Sequence, residues 1–385
     1  MSNSFAEKQF FKIVEQIQVG SLRVITPRGE IHDFGDGDPS AELTIHDWSI
    51  AMVIAERGDV GLGETYVRGL WDTPDLEKFL TLLLENGDVS IPMSAGSRFQ
   101  RFAFRIINTI IRRNSRSGSL KNISNHYDVG NDFYKLWLDE SMTYSSAFYG
   151  DHADTLEAAQ QNKYARLLSL LPSDANDILE IGCGWGGFAE KAANAGKAVT
   201  GITVSNAQLN FAQQRLHDRA DIVLRDYRDV KGKFDSIVSI EMIEAVGERY
   251  WPSYFKSLKQ RLAPGGSAAI QAIIIEDESF EMYKNQSDFI RQYTFPGGML
   301  VPPGGIQQQA TQVGLKVDSF DRFGQDYART LREWKHRFDK AEQEIRALGH
   351  QNEFLRSWRY YFEFCAAGFA HGKHINVAHV SLSHE

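Results

Sequence analysis

Hydrophobic and polar positions in the second half of the chain alternate between two periods. Short apolar runs predict strands, and the longer amphipathic stretches between them predict helices. From residue 123 onward the predicted strands are 178–181, 198–204, 222–225, 234–240, 267–275, 315–320 and 377–381. Strands that alternate with helices favour an α/β fold with a doubly wound, mostly parallel sheet of seven strands. Ligands of such sheets bind beyond the carboxyl ends of the strands.

The first half has a shorter, mixed pattern that predicts a small N-terminal α+β domain over residues 1–88. A linker over 89–122 and a larger domain over 123–385 complete the predicted organisation. The predicted helices are 4–18, 47–57 and 76–84, and the predicted strands are 22–26 and 41–46. Gly58 is expected to end the second helix, and the glycine-rich stretch 59–66 is expected to form a turn.

Charge is distributed unevenly around a net value of −8. Residues 1–88 hold 16 acidic and 7 basic side chains, whereas residues 89–127 hold 7 basic side chains and no acidic one. Within the linker, residues 98–112 form a basic amphipathic pattern, with phenylalanines and isoleucines on one face and arginines on another. Such a helix fits a membrane interface, or it docks on the protein with its basic face in solvent. The acidic balance argues against non-specific nucleic-acid binding.

A glycine-rich loop follows the predicted strand 178–181, with the sequence Gly182-Cys-Gly184-Trp-Gly-Gly187. Glycines let the backbone approach a ligand, and a following helix presents unpaired N–H groups. Plain packing of a tight turn is the alternative. The spacing lacks the G-x-G-x-x-G of dinucleotide sites. The next strand ends at Thr203 without an acid, which departs from the dinucleotide pattern and from that of many methyltransferases. S-adenosylmethionine has no pyrophosphate to bind and therefore suits this loop better.

Several ordered motifs resemble the cyclopropane-fatty-acyl-phospholipid synthase family along essentially the whole chain. They are Asn125-His-Tyr-Asp-Val-Gly-Asn-Asp-Phe-Tyr134, Met142-Thr-Tyr-Ser145, Leu179-Glu-Ile-Gly-Cys-Gly-Trp-Gly-Gly187, Asp226-Tyr-Arg-Asp229, Phe295-Pro-Gly-Gly298 and Phe323-Gly-Gln-Asp-Tyr327. The resemblance implies a seven-stranded Rossmann-like methyltransferase sheet with a smaller N-terminal α+β domain. It also implies methyl transfer from S-adenosylmethionine to a cis double bond in a membrane lipid acyl chain.

The same resemblance assigns a binding site for S-adenosylmethionine. Its amino-acid end, methionine part, ribose and adenine are each expected to meet a different group of residues. These residues are Tyr127, Tyr144 and Ser145 for the amino-acid end, Gly182 and Gly184 for the methionine part, Thr203 and Gln208 for the ribose, and Asp226 and Tyr227 for the adenine.

A carbocation forms when an alkene takes a methyl group, and aromatic faces stabilise cations by about 0.5–2 kcal/mol each. The aromatic residues near candidate pocket segments are Tyr144, Phe148, Tyr149, Tyr283, Tyr293 and Phe295, although core packing is an alternative role for each. Ring closure then needs a base, which the resemblance implies is a bicarbonate ion.

The implied bicarbonate cage consists of Glu244, the backbone at Ile273, and Tyr327. Two neighbouring positions depart from the family, since Ser146 replaces a cysteine and Gln271 replaces a histidine. Both can still donate hydrogen bonds to bicarbonate, but neither titrates near neutral pH as histidine does. Ring closure is therefore the step in question, and a methylene or methyl branch, as in tuberculostearate-type or furan-fatty-acid pathways, is the alternative product.

The expected partners are membrane phospholipids with unsaturated acyl chains, contacted peripherally through residues 98–112. Cys183 and Cys365 lie far apart and make no metal-site spacing, which suits the reducing cytoplasm. The expected location is the inner face of the membrane, and the resemblance implies a homodimer. A methyltransferase acting on a small soluble acceptor and a non-catalytic lipid-binding protein are the competing interpretations.

Overall fold

A computed structural model describes residues 3–87, 129–150 and 153–385, which divide into two compact units. The first unit combines residues 3–87 with 282–296 and 342–371. The second unit contains the remaining described residues. This division differs from the contiguous domains expected from the sequence, because two later segments pack with the N-terminal residues. The predicted linker, including residues 98–112, lies outside the described residues.

The elements are labelled in chain order. The strands are β1 (Gly20–Ile25), β2 (Ile31–Asp36), β3 (Ser40–Ile45), β4 (Trp71–Asp72), β5 (Asp177–Ile181), β6 (Ala198–Thr203), β7 (Asp221–Leu224), β8 (Phe234–Ile240), β9 (Leu262–Ile275), β10 (Leu315–Arg322) and β11 (Ile375–His384). The α-helices are α1 (Asn3–Val14), α2 (Ser49–Val67), α3 (Leu76–Glu85), α4 (Asn131–Tyr134), α5 (Leu156–Ser169), α6 (Gly187–Asn194), α7 (Asn206–Leu216), α8 (Trp251–Arg261), α9 (Asp277–Asn285), α10 (Pro303–Gln312), α11 (Gly324–Lys340), α12 (Glu342–Ala347) and α13 (Asn352–His371).

The first unit is built around a sheet in the order β2-β1-β3-β4, in which β1 runs antiparallel to β2 and parallel to β3. Its apolar core combines Trp71, Phe79 and Leu82 with Phe289 and Tyr360 from the two later segments. Strand β2 was not predicted, because its side chains are largely exposed and offer no apolar alternation.

The predicted turn over 59–66 is wrong, because helix α2 continues through this stretch to Val67. Gly58 has a φ of 61° and a ψ of −137°, which are not helical values, so the helical stretch before it ends there as predicted and a second stretch follows to Val67. A Cβ at Gly61 would lie 2.5 Å from the Val53 carbonyl oxygen, and one at Gly63 would lie 2.3 Å from the Phe289 ring. These two glycines therefore allow close packing, which a local reading of glycine as a turn signal misses.

The second unit contains a seven-stranded sheet in the order β10-β11-β9-β8-β5-β6-β7, which confirms the predicted fold class. Strands β5 to β9 run parallel, and β11 pairs antiparallel with both β9 and β10. Apolar clusters lie on the sheet with α8 and α10 and with α5, α6 and α7. Because the strands are parallel, the carboxyl ends of β5, β6, β7 and β8 meet at one edge.

Candidate active site

The glycine loop begins where β5 ends and leads into α6. Gly182 has a φ of 80° and Gly184 a φ of 54°, a region that L side chains rarely adopt. The backbone N–H groups of Gly182 and Cys183 both donate to the Ile202 carbonyl on β6, at 3.0 and 2.9 Å. A Cβ at Gly184 would meet no atom within 4 Å, so the loop faces open space there. This cradle fits S-adenosylmethionine, which the resemblance places against these glycines.

The end of β6 carries the two residues expected at the ribose. Thr203 and Gln208 are both buried, and the Thr203 hydroxyl donates to the Gln208 side-chain oxygen at 2.8 Å. The backbone N–H of Ser205 donates to the Thr203 Oγ1, and the Ser205 hydroxyl caps α7 by accepting from the Gln208 N–H. The fold therefore brings this predicted pair together and orients both polar groups before any ligand binds.

The residues expected at the adenine follow β7 along the same sheet edge. Asp226 forms an ion pair with Arg228, and its side chain also accepts from the Arg228 backbone N–H. The Tyr227 ring packs edge-on against Tyr254, with centroids 5.7 Å apart. The local turn thus fixes both predicted residues, one through charge and one through aromatic packing.

Tyr144 lies in a cluster of large aromatic rings in the second unit. Its ring centroid is 5.5 Å from those of Tyr134 and Trp137 and 5.3 Å from that of Trp334. Aromatic packing of this kind holds the ring in one orientation. Tyr127, the other tyrosine expected at the amino-acid end of the cofactor, lies outside the described residues.

Ser145 is buried and accepts a hydrogen bond from the Lys163 ammonium at 2.6 Å. Burial lowers the pKa of Lys163 to about 7, while the carboxylates of Glu241, Asp139 and Glu180 act in the opposite direction. Sequence reasoning missed this lysine, although a signal exists. Lys163 lies at a buried position of α5, where the apolar period of the helix predicts a core residue. The buried residues of this helix are Leu156, Ala159, Gln160, Lys163, Tyr164 and Leu167.

A carboxylate lies at the centre of the predicted catalytic residues, and it belongs to Glu241. One oxygen of Glu241 accepts from the Ser146 backbone N–H at 2.8 Å and from the Gln271 side-chain amide at 2.7 Å. The other accepts from the Tyr327 hydroxyl at 2.9 Å. Burial raises the pKa of Glu241, and the nearby Lys163 charge opposes that rise. Glu241 and Glu244 stand three residues apart after β8, at the carboxyl end of the strand where ligands of such sheets bind.

Glu244 lies in the next turn, and the structure gives it a different partner. Its Oε1 accepts from the Ile273 backbone N–H, as the predicted pairing of these two residues requires. Its Oε2 is buried and has no hydrogen-bond partner in the described part of the chain. Burial, with the neighbouring Glu241 charge, raises the pKa of Glu244 to about 8. The Tyr327 hydroxyl, expected in the same cage, donates to the neighbouring Glu241.

A bicarbonate ion does not fit this arrangement. The hydrogen-bond donors expected around it are used by the carboxylates of Glu241 and Glu244. Two unit charges about 4 Å apart repel by about 4 kcal/mol at the effective dielectric constant of a protein. A second anion beside Glu241 would have to overcome this repulsion and displace existing hydrogen bonds.

His379 on β11 supports the cage from the neighbouring strand, opposite Gln271 in the register. Its ring Nε2 lies 2.8 Å from the Gln271 side-chain oxygen. Burial lowers the pKa of His379 to about 3, so the ring is neutral and donates through Nε2 to this amide oxygen. The Gln271 amide is thereby oriented with its NH₂ group toward Glu241 and the Ser146 carbonyl.

Several of the aromatic rings expected to stabilise a cation already contact an arginine. The pairs are Arg166 over Phe148 at 4.5 Å, Arg329 over Tyr149 at 4.0 Å and Arg291 over Tyr283 at 3.8 Å. Tyr283, Tyr293 and Phe295 belong to the first unit, where Tyr293 donates to Glu64 and Phe295 packs on Tyr361. Structural packing therefore accounts for these five rings.

The sheet order and the glycine loop at the carboxyl end of β5 together define an S-adenosylmethionine-dependent methyltransferase. Comparison with known proteins identifies its family. Residues 114–380 match the family model described as mycolic acid cyclopropane synthetase, and the chain belongs to this family. The resemblance that the motifs predicted is confirmed, and the enzyme is a methyltransferase of the kind that modifies lipid acyl chains.

Individual relatives differ in the products that their names state. Tuberculostearic acid methyltransferase of Mycobacterium tuberculosis is 37% identical over 358 residues, covering 88% of this chain and 82% of that protein. Cyclopropane-fatty-acyl-phospholipid synthase of Escherichia coli is 32% identical over 338 residues, covering 87% of this chain and 86% of that protein. The crystal structure of mycolic acid cyclopropane synthase CmaA1 with SAH and CTAB superposes with a TM-score of 0.64 at 26% identity, covering 68% of this chain and 97% of the other.

Across the described residues, every helix is too short or too polar to cross a membrane.

Proposed function

We propose that this enzyme methylates the cis double bond of unsaturated phospholipid acyl chains and leaves a methylene branch. The observation that carries the proposal is the Glu241 carboxylate, which accepts from the Ser146 backbone N–H and from the side-chain amide of Gln271, the residue that departs from the histidine of ring-forming synthases. A ring-forming site would be expected to leave this position to a free base. The 37% identity to a tuberculostearic acid methyltransferase supports a branched product.

The donor site uses the residues that the family resemblance implies. S-adenosylmethionine, when bound, supplies the methyl group. The residues that would hold it are Tyr127, Tyr144, Ser145, Gly182, Gly184, Thr203, Gln208, Asp226 and Tyr227. Because an alkene is a poor nucleophile, orientation and exclusion of water supply much of the rate. The hydrogen bond already present between Thr203 and Gln208 favours such preorganisation.

Product identity depends on the carbocation that follows methyl transfer. The alkene π electrons form the new C–C bond, and the adjacent carbon becomes cationic. Ring closure needs immediate loss of a methyl proton, whereas a hydride shift onto that carbon places the cation on the more substituted carbon. Loss of the same methyl proton then gives a methylene group. The carboxylate of Glu241 stabilises either cation electrostatically, and its three hydrogen bonds hold it in place while the hydride shifts.

The test uses purified enzyme, S-adenosylmethionine carrying a labelled methyl group, and vesicles of cis-unsaturated phospholipid. We expect the acyl chains to gain the mass of one CH₂ group per modified double bond, with no gain in saturated vesicles. Gas chromatography with mass spectrometry of the fatty acid methyl esters separates a methylene branch from a ring. Absence of label from every unsaturated lipid would refute the methylation, and a cyclopropane product would refute the branch.

Membrane contact is proposed through the basic residues 98–112, at the inner face of the membrane in the cytoplasm. The triple variant with Arg98→Glu, Arg101→Glu and Arg105→Glu should no longer sediment with anionic vesicles. The matched variant with lysine in place of each arginine should still sediment with them. Unchanged sedimentation of the glutamate variant would favour the docked helix instead. The family resemblance also leads us to propose a homodimer, which sedimentation equilibrium tests directly.

A further inference from the structure

The Glu241 carboxylate occupies a cage of donors expected to hold a free anion. We propose that Glu241 is the general base that removes a proton from the transferred methyl group, in place of bicarbonate. The inference rests on the proposed methylation of an acyl double bond. It makes the enzyme independent of dissolved bicarbonate.

Three hydrogen bonds hold the Glu241 carboxylate in the cage. The Ser146 N–H and the Gln271 amide donate to one oxygen at 2.8 and 2.7 Å, and the Tyr327 hydroxyl donates to the other at 2.9 Å. Three of the positions that the resemblance assigns to bicarbonate thus converge on a single carboxylate. Bicarbonate and a glutamate side chain present the same planar pair of oxygens, so one can replace the other in such a cage.

The backbone of Glu241 has an unusual conformation. Glu241 directly follows β8 with a φ of 46°, a conformation unusual for a residue other than glycine. Its backbone N–H donates to the Gln271 carbonyl at 2.8 Å, so the two residues are linked through main chain and side chain. Non-glycine residues in this conformation concentrate at functional sites, where surrounding structure holds them in place. The strained backbone aims the carboxylate into the cage.

The buried charges around Glu241 favour a side-chain carboxylate over a free anion. Lys163 is the buried cation whose charge acts on Glu241, and Glu244 is the neighbouring acid. Burial keeps Glu244 protonated near neutral pH, so its carboxyl group adds little negative charge. Asp139 and Glu180 also act on Lys163, so the acids around this one ammonium already balance its charge. A bicarbonate ion would add an uncompensated charge.

The chemical step balances without any further reactant. After the hydride shift the cationic carbon is the one that carries the transferred methyl group. A C–H bond of that methyl group breaks, and its electron pair becomes the π bond between the two carbons, which gives the methylene group. The proton moves to a Glu241 carboxylate oxygen. The resulting neutral acid returns the proton to solvent when the modified lipid leaves, which restores the carboxylate.

The experiment compares wild type with Glu241→Gln and Glu241→Gly under bicarbonate-free gas and after addition of sodium bicarbonate. Glycine accepts the positive φ at this position, so the second variant removes the carboxylate without adding backbone strain. We expect wild-type turnover to stay within twofold with or without bicarbonate. Both variants should lose at least 100-fold in turnover, and added bicarbonate or formate should restore part of the activity of the glycine variant alone.

A binding measurement gives a readout that does not depend on turnover. Equilibrium dialysis with [¹⁴C]bicarbonate should detect no stoichiometric binding to wild type and one site in the Glu241→Gly variant. Glu278→Gln serves as the matched control, because Glu278 is exposed and lies outside the cage. S-adenosylmethionine affinity and thermal unfolding of each variant show whether its fold is intact.

The outcomes separate this inference from the proposed function. Wild type that methylates lipid but stops when bicarbonate is removed, or that binds [¹⁴C]bicarbonate stoichiometrically, would overturn the role of Glu241 alone. An active Glu241→Gln variant would do the same. Wild type that methylates no unsaturated lipid under any gas would instead overturn the proposed function.

Discussion

Replacing Tyr327 by phenylalanine removes a single hydroxyl from the cage around Glu241. The side chain is 5% exposed and its ring packs edge-on against Trp334, with centroids 6.1 Å apart. Phenylalanine keeps that packing. The hydrogen bond of 2.9 Å to the carboxylate is lost, so the perturbation acts on the proposed base.

The size of the effect follows from the charge of the acceptor. A hydrogen bond to a charged group contributes about 1.5–3 kcal/mol, which corresponds to about a 10- to 150-fold change in rate. Because Ser146 and Gln271 still hold the other oxygen, we expect the lower end, about a tenfold fall in kcat at neutral pH. The Tyr327 hydrogen bond lowers the pKa of Glu241. Its loss should therefore move the acidic limb of the kcat profile to higher pH.

The assay is methyl transfer to vesicles at saturating S-adenosylmethionine across a range of pH. Cofactor affinity should stay within twofold, since Tyr327 contacts the cage and not the glycine loop. Tyr360→Phe, which removes one buried hydroxyl from the first unit, is the control for loss of a tyrosine oxygen. Turnover within twofold of wild type, together with an unshifted pH profile, would refute the role of this hydrogen bond.

Three further predictions follow from the buried polar groups. Lys163→Met removes the hydrogen-bond donor to Ser145 and the cation that opposes the rise in the pKa of Glu241. The acidic limb of the pH profile of kcat should therefore move to higher pH, and an unmoved limb would contradict this. Burial raises the pKa of Glu180 in the folded state to about 8, so deprotonation of this residue favours unfolding. The free energy of unfolding should therefore fall between about pH 5 and pH 8, by up to about 1.4 kcal/mol per pH unit, and Glu180→Gln should flatten this fall. Urea unfolding at several pH values measures this slope, and equal slopes in both proteins would contradict it. Gln271→Leu and His379→Leu should each lower the free energy of unfolding, because each leaves the other residue without its hydrogen-bond partner. The double variant should lose about 1–2 kcal/mol less than the sum of the two single losses. Strictly additive losses in urea unfolding would count against the contact.

Local patterns determined most of the sheet of the second unit. Apolar runs such as 178–181 and 234–240 are short, bounded by turns and separated by amphipathic stretches, and both became strands at nearly the predicted bounds. The loop at Gly182 and Gly184 was recognisable for the same reason, because a glycine run between a strand and a helix is a contiguous signal. Burial of a parallel sheet on both faces makes such runs strongly apolar, which makes them easy to read.

The first unit was harder to predict because its glycines are read differently in context. Locally, Gly61 and Gly63 indicate a turn, yet their lack of a Cβ lets α2 approach its own preceding turn and the Phe289 ring. Phe289 is more than 200 residues away along the chain. Packing partners at that distance leave no trace in the local pattern, so neither the helix nor the composition of the unit could be derived from it.

The sequence by itself determined the class of fold, the cofactor loop and the set of residues from which the site is made. Only the tertiary structure decided which acid stands at its centre. The resemblance placed Glu244 in the cage, but Ser146, 95 residues earlier, and Tyr327, 86 residues later, both donate to Glu241. Hydrogen bonds between strand ends depend on strand order, register and one positive φ, and these are properties that the folded sheet creates.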